Sequence, residues 1–402
     1  MFNRSNMEKK VMSDYMDFLG DSYNEESSEF YHHKAKDKAL NEKEKCNIII
    51  CGASGVGKST LINAIFGEEV VKAGVGKPVT QHLEKIAIPE KGICLWDTKG
   101  IEAENYQATM TSLKDEFIQA IDNANNDSDI PHIGWVCIKA SSDRVEDRDL
   151  TLIGLLAKHN IPAIIVFTRV TGRAEREFVE EAQRIIDKEY KDFLHGAYVS
   201  VNSVPYEIDE DIVVKVKGLE SLIEVTELRF PEGKKSAKNA FLKAQRSKIE
   251  KRLSAIKEGA RKLVHVASVA AGTAGASPIP GSDAPIIAAI QSTMIYKINT
   301  EFELDADSSK MTSVLTGIMG VTALAQVGKT VVSNALKFIP GAGTFIGGTI
   351  SAITAIGITE AVGHAYIAVL EKYYDMETGE VIFPENSDKI ISVFKEMFSY
   401  KK

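Results

Sequence analysis

The stretch GASGVGKS, Gly52 to Ser59, stands directly after the apolar run Asn47-Ile-Ile-Ile-Cys51 and directly before Thr60-Leu-Ile-Asn-Ala-Ile-Phe66. It satisfies the spacing G-x-x-x-x-G-K-[ST] in the context that gives the spacing physical meaning: strand, loop, helix. Glycines let successive backbone N–H groups turn inward to hold phosphate oxygens, at the positive end of a helix. Lys58 then reaches the β- and γ-phosphates, and Ser59 is placed to ligate Mg²⁺. A second Gly-Lys-Thr, Gly328 to Thr330, has Ala323 where the upstream glycine is needed. No strand pattern precedes it, so it reads as a helix end.

Outward from this loop, short apolar runs alternate with helical patterns. ICLW, HIGWVCI, PAIIVF and AYVSV are each followed by an amphipathic stretch. That alternation predicts an α/β fold, a mainly parallel sheet buried on both faces and flanked by helices. The predicted division is a polar N-terminal helical segment over 1–45, the α/β domain over 46–232, an all-α helical domain over 233–376 and a tail over 377–402. In the helical half, Ile249, Leu253, Ile256, Ala260, Leu263 and Ala267 fall on one face of a long helix. The other face is rich in Lys and Arg, and the wider run Lys234 to Lys262 holds eleven Lys and Arg against Glu250 and Glu258.

A chain of 402 residues with 44% apolar content suits two globular domains. Net charge is -8, which carries no global nucleic-acid footprint, and no nucleic-acid partner is expected. Cys46, Cys51, Cys94 and Cys137 lie in or beside apolar runs without a CxxC pair, as reduced thiols of a cytosolic protein do. The start, MFNRSNMEKK, has no apolar h-region. The predicted location is cytoplasmic. MTSVLTGIMGVTALAQVG is uncharged over 18 residues, near the lower limit for a span. The following FIPGAGTFIGG carries Gly343-x-x-x-Gly347, which permits close helix approach in lipid or in a soluble bundle. A membrane surface on the cytoplasmic side therefore stands beside a buried bundle as the alternative for this half.

Two further segments belong with the loop. ICLWDTKG ends a buried run in Asp97, whose carboxylate is placed to hold a Mg²⁺-bound water, with the Gly100 N–H near a γ-phosphate. VGKPVTQH, between the two, offers Thr80 to complete the Mg²⁺ shell. Together GASGVGKS, KPVTQ, LWDTKG, HIGWVCI and GLESLIEVT resemble an Era-like (TRAFAC-class) P-loop GTPase, over roughly Cys46 to Pro231. The resemblance implies a G domain cycling between GTP and GDP with Mg²⁺. It places nucleotide contacts on Gly52, Ala53, Ser54, Gly55, Val56, Gly57, Lys58, Ser59, Thr60, Asp97 and Gly100. Metal ligation falls on Ser59, Thr80 and Asp97, and the catalytic roles on Lys58 and Thr80. SPIPGSDAPIIAAIQSTMIYKI, FIPGAGTFIGG and TEAVGHAYIAVLEKYY resemble the helical domain of unknown function that follows the G domain in some bacterial GTPases, a group often treated as membrane-associated. The layout is also similar to that of immunity-related GTPases.

Two departures matter. The family's base reader is [NT]KxD, but here it reads Thr168-Arg169-Val170-Thr171. Arg169 can stack its planar guanidinium on a purine as lysine does. Thr171 cannot accept the two guanine hydrogen bonds of a carboxylate, a contact worth about 1–3 kcal/mol of discrimination. Thr168 and Arg169 remain base-side candidates, with Ser200, Val201 and Asn202 as the likeness of the family's SAK loop. Glu175 is the nearby acid. The second departure is Ile101, where some GTPases carry a water-orienting glutamine; hydrolysis is expected to be slow. Arg144 is a candidate internal or trans-acting arginine, against the plainer reading of a surface arginine paired with Asp143, Glu146 or Asp147.

The leading reading is a GTP-binding switch with slow hydrolysis that controls a helical effector domain. The alternatives are an ATP-preferring P-loop NTPase, a nucleotide-binding module without turnover, and a membrane-remodelling enzyme that self-associates with nucleotide.

Overall fold

The computed structural model describes residues 15–67, 75–78, 83–98, 106–124, 129–142, 144–209, 212–276, 283–304, 313–321 and 349–399. These gather into two compact units, residues 44–252 and residues 1–43 with 253–402.

In residues 44–252 the strands are β1 (Cys46–Cys51), β2 (Val75–Pro78), β3 (Leu83–Ile88), β4 (Ile93–Thr98), β5 (Ile133–Lys139), β6 (Ala163–Thr168) and β7 (Tyr198–Val201). They form one seven-stranded sheet in the order β2-β3-β4-β1-β5-β6-β7. β4, β1, β5, β6 and β7 run parallel, while β2 and β3 join antiparallel. The helices are α1 (Lys58–Phe66), α2 (Tyr106–Asp122), α3 (Asp147–Lys158), α4 (Arg173–Leu194), α5 (Leu219–Arg229) and α6 (Lys235–Ala244). A small hairpin, β8 (Tyr206–Asp209) with β9 (Ile212–Val214), stands between β7 and α5. The expected α/β class, a mostly parallel sheet flanked by helices and followed by a helical region, is the architecture observed.

β1 shows why the order is stable. Its side chains alternate across the sheet, as the pleat requires. Ile48 and Ile50 enter one core with Leu61, Phe66 and Trp135. Ile49 and Cys51 enter the other with Trp96, Phe117 and Phe167. A central parallel strand has no wet face, so an unbroken apolar run is the right sequence for it. Phe66 of α1 stacks on Trp135 with centroids 6.1 Å apart, and Phe241 meets both rings edge-on. The indole N–H of Trp135 donates to Thr226 Oγ1 at 3.1 Å, so its polar edge is satisfied inside the core. These contacts fix α1 against the sheet and hold the loop before it.

The units divide the chain at other places than the linear reading does. Ala237, Ala240, Phe241 and Ala244 of α6 lie in the same core as Ile48 and Phe66, so this helix folds with the sheet. The lysines from 234 onward are largely matched by carboxylates within their own unit. Lys238 stands 3.4 Å from Glu227 and Lys243 2.7 Å from Glu44, while Lys248 pairs with Glu224 and Lys251 with Glu227. The charge asymmetry of the sequence is thus in large part an internal complement.

In the other unit, the helix His32–Glu42 packs on α8 (Asp283–Glu301), which follows α7 (Ile249–Gly275). Lys297 pairs with Glu42, and Lys43 Nζ donates to Thr300 O at 2.8 Å. On α7 the buried stripe is Ile256, Ala260, Val264, Ala267 and Ala271. Val264 rather than the expected Leu263 lies inside, because the stripe drifts around a helix of 3.6 residues per turn. Next come α9 (Thr349–Lys372) and α10 (Ser387–Ser399). Within α9, Ala352–Lys372 is long and apolar enough to cross a membrane, and 61% of its apolar window is buried in the protein. The segments 277–282 and 322–348, which include the two Ile-Pro-Gly triplets of the sequence, lie outside the described residues.

Candidate nucleotide site

The loop after β1 has a backbone few sequences can follow. Gly52 sits at φ +140°, and a Cβ there would lie 2.4 Å from Cys137 O on β5. Gly55 and Gly57 take φ of +73° and +100°. Ala53 and Val56 point the other way, into the core, and anchor the loop from beneath. Gly57 caps α1 with no side chain, and the first intrahelical bond runs from Leu61 N to Gly57 O at 2.9 Å. The N–H groups of Lys58, Ser59 and Thr60 therefore have no intrahelical acceptor, which leaves the positive end of α1 open.

These residues face a pocket of about 360 Å³. Ser54, Gly55 and Gly57 line it from the loop, and Lys58, Ser59 and Thr60 from α1. Asp97 and Thr98 enter from the end of β4, and Arg169 from beyond β6. Lys58 Nζ donates to Gly52 O at 2.9 Å and to Ala53 O at 3.3 Å, and lies 3.8 Å from Asp97 Oδ1. Beneath the loop, burial pushes the Cys137 thiol up to about 12 and raises Cys51 as well. Both stay neutral next to the cationic loop.

The donor set fits a nucleoside polyphosphate with Mg²⁺. Backbone N–H groups and one ammonium suit phosphate oxygens; the Ser59 hydroxyl and Asp97 carboxylate, both on the pocket, suit a hard oxygen-seeking cation. Bound there, Mg²⁺ would offset phosphate charge. Thr98 was not among the sequence candidates. It lines the pocket, yet nothing but its place beside Asp97 at a strand end marks it.

The base-side candidates divide. Thr168 is buried, and its hydroxyl donates to Val56 O at 2.6 Å, which ties β6 to the phosphate loop. Arg169 is exposed, lines the pocket and adopts a left-handed φ of +57°. Asn202 is buried; its Nδ2 donates to Val204 O, Val214 O and Lys215 O, and its backbone N–H to Lys217 O. It thereby braces the β8–β9 hairpin. Val201 O accepts from Val170 N at 3.1 Å. Ser200, Val201 and Asn202 are not among the residues lining the pocket. Glu175 Oε2 accepts from Gly172 N–H at 2.7 Å and caps α4. Arg144 is exposed and away from the lining, whereas Arg148 pairs with Glu146 at 3.2 Å. Thr80, Gly100 and Ile101 lie outside the described residues.

Residues 47–169 match the family described as 50S ribosome-binding GTPase. This segment is a P-loop GTPase domain. The segment's likeness to whole proteins is local. The small ribosomal subunit biogenesis GTPase RsgA of Clostridium kluyveri is 43% identical over 72 residues, 16% of this chain and 24% of that protein. RsgA of Clostridium novyi is 33% identical over 103 residues, 21% and 36% of the two chains. GTPase Der of Pseudomonas paraeruginosa is 28% identical over 173 residues, 39% and 33%. The chain thus spans a quarter to about a third of the length of these relatives. The GTPase domain match ends at Arg169, the last residue to line the pocket.

Proposed function

We propose that the chain is a GTP-binding switch with slow hydrolysis, whose nucleotide state controls the helical unit. The observation that carries the reading is the convergence of Lys58, Ser59 and Asp97 on one pocket behind a loop with three positive-φ glycines. The match of residues 47–169 to a GTPase family supports guanine nucleotide and Mg²⁺ as the bound species. Slow turnover follows from Ile101, a side chain that can neither donate nor accept. The test is nucleotide binding and single-turnover phosphate release by the full chain. Lys58→Ala should weaken triphosphate binding about ten- to a hundredfold, the loss of charge-assisted hydrogen bonds. Unchanged affinity would sink the proposal. Tight binding with no phosphate release under any condition favours a module without turnover instead.

The partner reading divides. The acidic net charge argues against free nucleic acid, but two relatives carry names tied to the small ribosomal subunit. A cytoplasmic ribosomal particle is therefore the partner we favour. The length and apolarity of Ala352–Lys372 support a membrane surface, while the paired lysines reduce the charge available to anionic lipid. Sedimentation with ribosomal subunits and with vesicles, each with a GTP analogue and with GDP, separates the two. Nucleotide-dependent pelleting with vesicles alone would reverse the preference.

A further inference from the structure

The pocket presents phosphate-binding groups on many sides and base-facing groups on few. Among the described residues, Arg169 is the one lining residue contributed by the β6–α4 loop. It is exposed and held in a left-handed conformation, which costs a non-glycine residue free energy and keeps its side chain at the pocket. A planar guanidinium stacks on the face of any purine. Three neighbouring polar side chains are engaged elsewhere. The Thr168 hydroxyl donates beneath the loop to Val56 O, the Asn202 amide holds three hairpin carbonyls, and the Glu175 carboxylate caps α4.

Thr171, two residues on in the same loop, is half-buried and not itself on the pocket lining, but it is the next hydroxyl along the chain from Arg169. Guanine offers two donors on its reading edge, N1–H and the 2-amino group; adenine offers an N1 acceptor beside an amino donor. A carboxylate accepts from guanine twice and repels adenine N1. A rotatable hydroxyl accepts from guanine N1–H or donates to adenine N1 with equal ease. We propose that this site takes purine nucleoside triphosphates as a class, gripping the base by its face on Arg169, so that ATP and ITP bind on a par with GTP. The inference rests on the nucleotide site argued above and deepens it.

The test is displacement of a fluorescent GTP analogue from the full chain with Mg²⁺, by GTP, ITP, ATP and CTP. The three purines should agree within about tenfold, the loss expected when a bidentate base contact is absent, with CTP weaker than all three. Arg169→Ala should weaken the three purines by a common factor and bring them towards CTP. Thr171→Asp should raise GTP over ATP by about tenfold or more, the gain of that bidentate contact. Circular dichroism checks that both variants are folded. GTP more than tenfold tighter than both ATP and ITP in the unaltered chain overturns the inference and leaves the nucleotide site standing. So does a folded Thr171→Asp chain still indifferent to the base. Failure to bind the analogue, or binding untouched by Lys58→Ala, overturns the nucleotide site itself and the inference with it.

Discussion

Gly52 shows how much one missing carbon atom decides. Its φ of +140° is strained for any other residue, and an added Cβ would collide with a backbone oxygen of β5, which cannot swing aside. Gly55, at φ +73°, has nothing within 4 Å of the same added atom. Gly52→Ala should therefore cost more than ~2 kcal/mol of folding stability, and Gly55→Ala only about 1–2 kcal/mol, the ordinary penalty of a left-handed alanine. Urea unfolding of the two variants measures this; equal losses would refute it. The glycine spacing was legible in the sequence because the motif is local. The part played by Thr168 was not: its hydroxyl meets Val56 O, 112 residues away, and no local pattern encodes that pairing.

At the scale of elements, α3 carries a titrating cap. Glu146 is its N-cap, and Asp149 at the third helical position accepts from Glu146 N–H at 3.1 Å. Burial pushes the Asp149 carboxyl from 3.8 up to about 6, although the Glu146 N–H and Arg148 pull the other way. Between about pH 4 and pH 6 the folded chain holds a proton there that the unfolded chain has lost. Raising the pH through that window thus removes stability. Asp149→Asn keeps an acceptor oxygen and abolishes the titration. Its stability relative to the unaltered chain should rise between pH 4 and pH 7 by on the order of 1–3 kcal/mol. Parallel urea midpoints for the two chains across this range would contradict the assignment. The strands and helices around β1 could be read from apolar runs and their period. The place of α6 could not, because a Lys-rich composition hides the stripe Ala237, Ala240, Phe241 and Ala244 that sinks into the core.

At the scale of the whole molecule, the division into two compact units predicts separate melting. Calorimetry of the full chain should resolve two transitions. GTP with Mg²⁺ at a hundred times its dissociation constant should stabilise one of them by about 2.7 kcal/mol and leave the other in place. A single transition that moves as one would mean that the units unfold together. Composition alone suggested a boundary where the basic run begins. The structural boundary lies inside α7, where no change of composition marks it, and the N-terminal helix joins the far unit through Lys297 and Lys43.

The hydrogen bond from Thr168 to Val56 O also sets a schedule. Translation delivers the phosphate loop well before β6 leaves the exit tunnel. A nascent chain stalled short of Thr168 would display every residue of the GASGVGKS stretch and still lack the strut that immobilises its carbonyl. Full grip on triphosphate is thus reached only once β6 has closed against β5, and a product cut short of Thr168 should hold nucleotide more weakly.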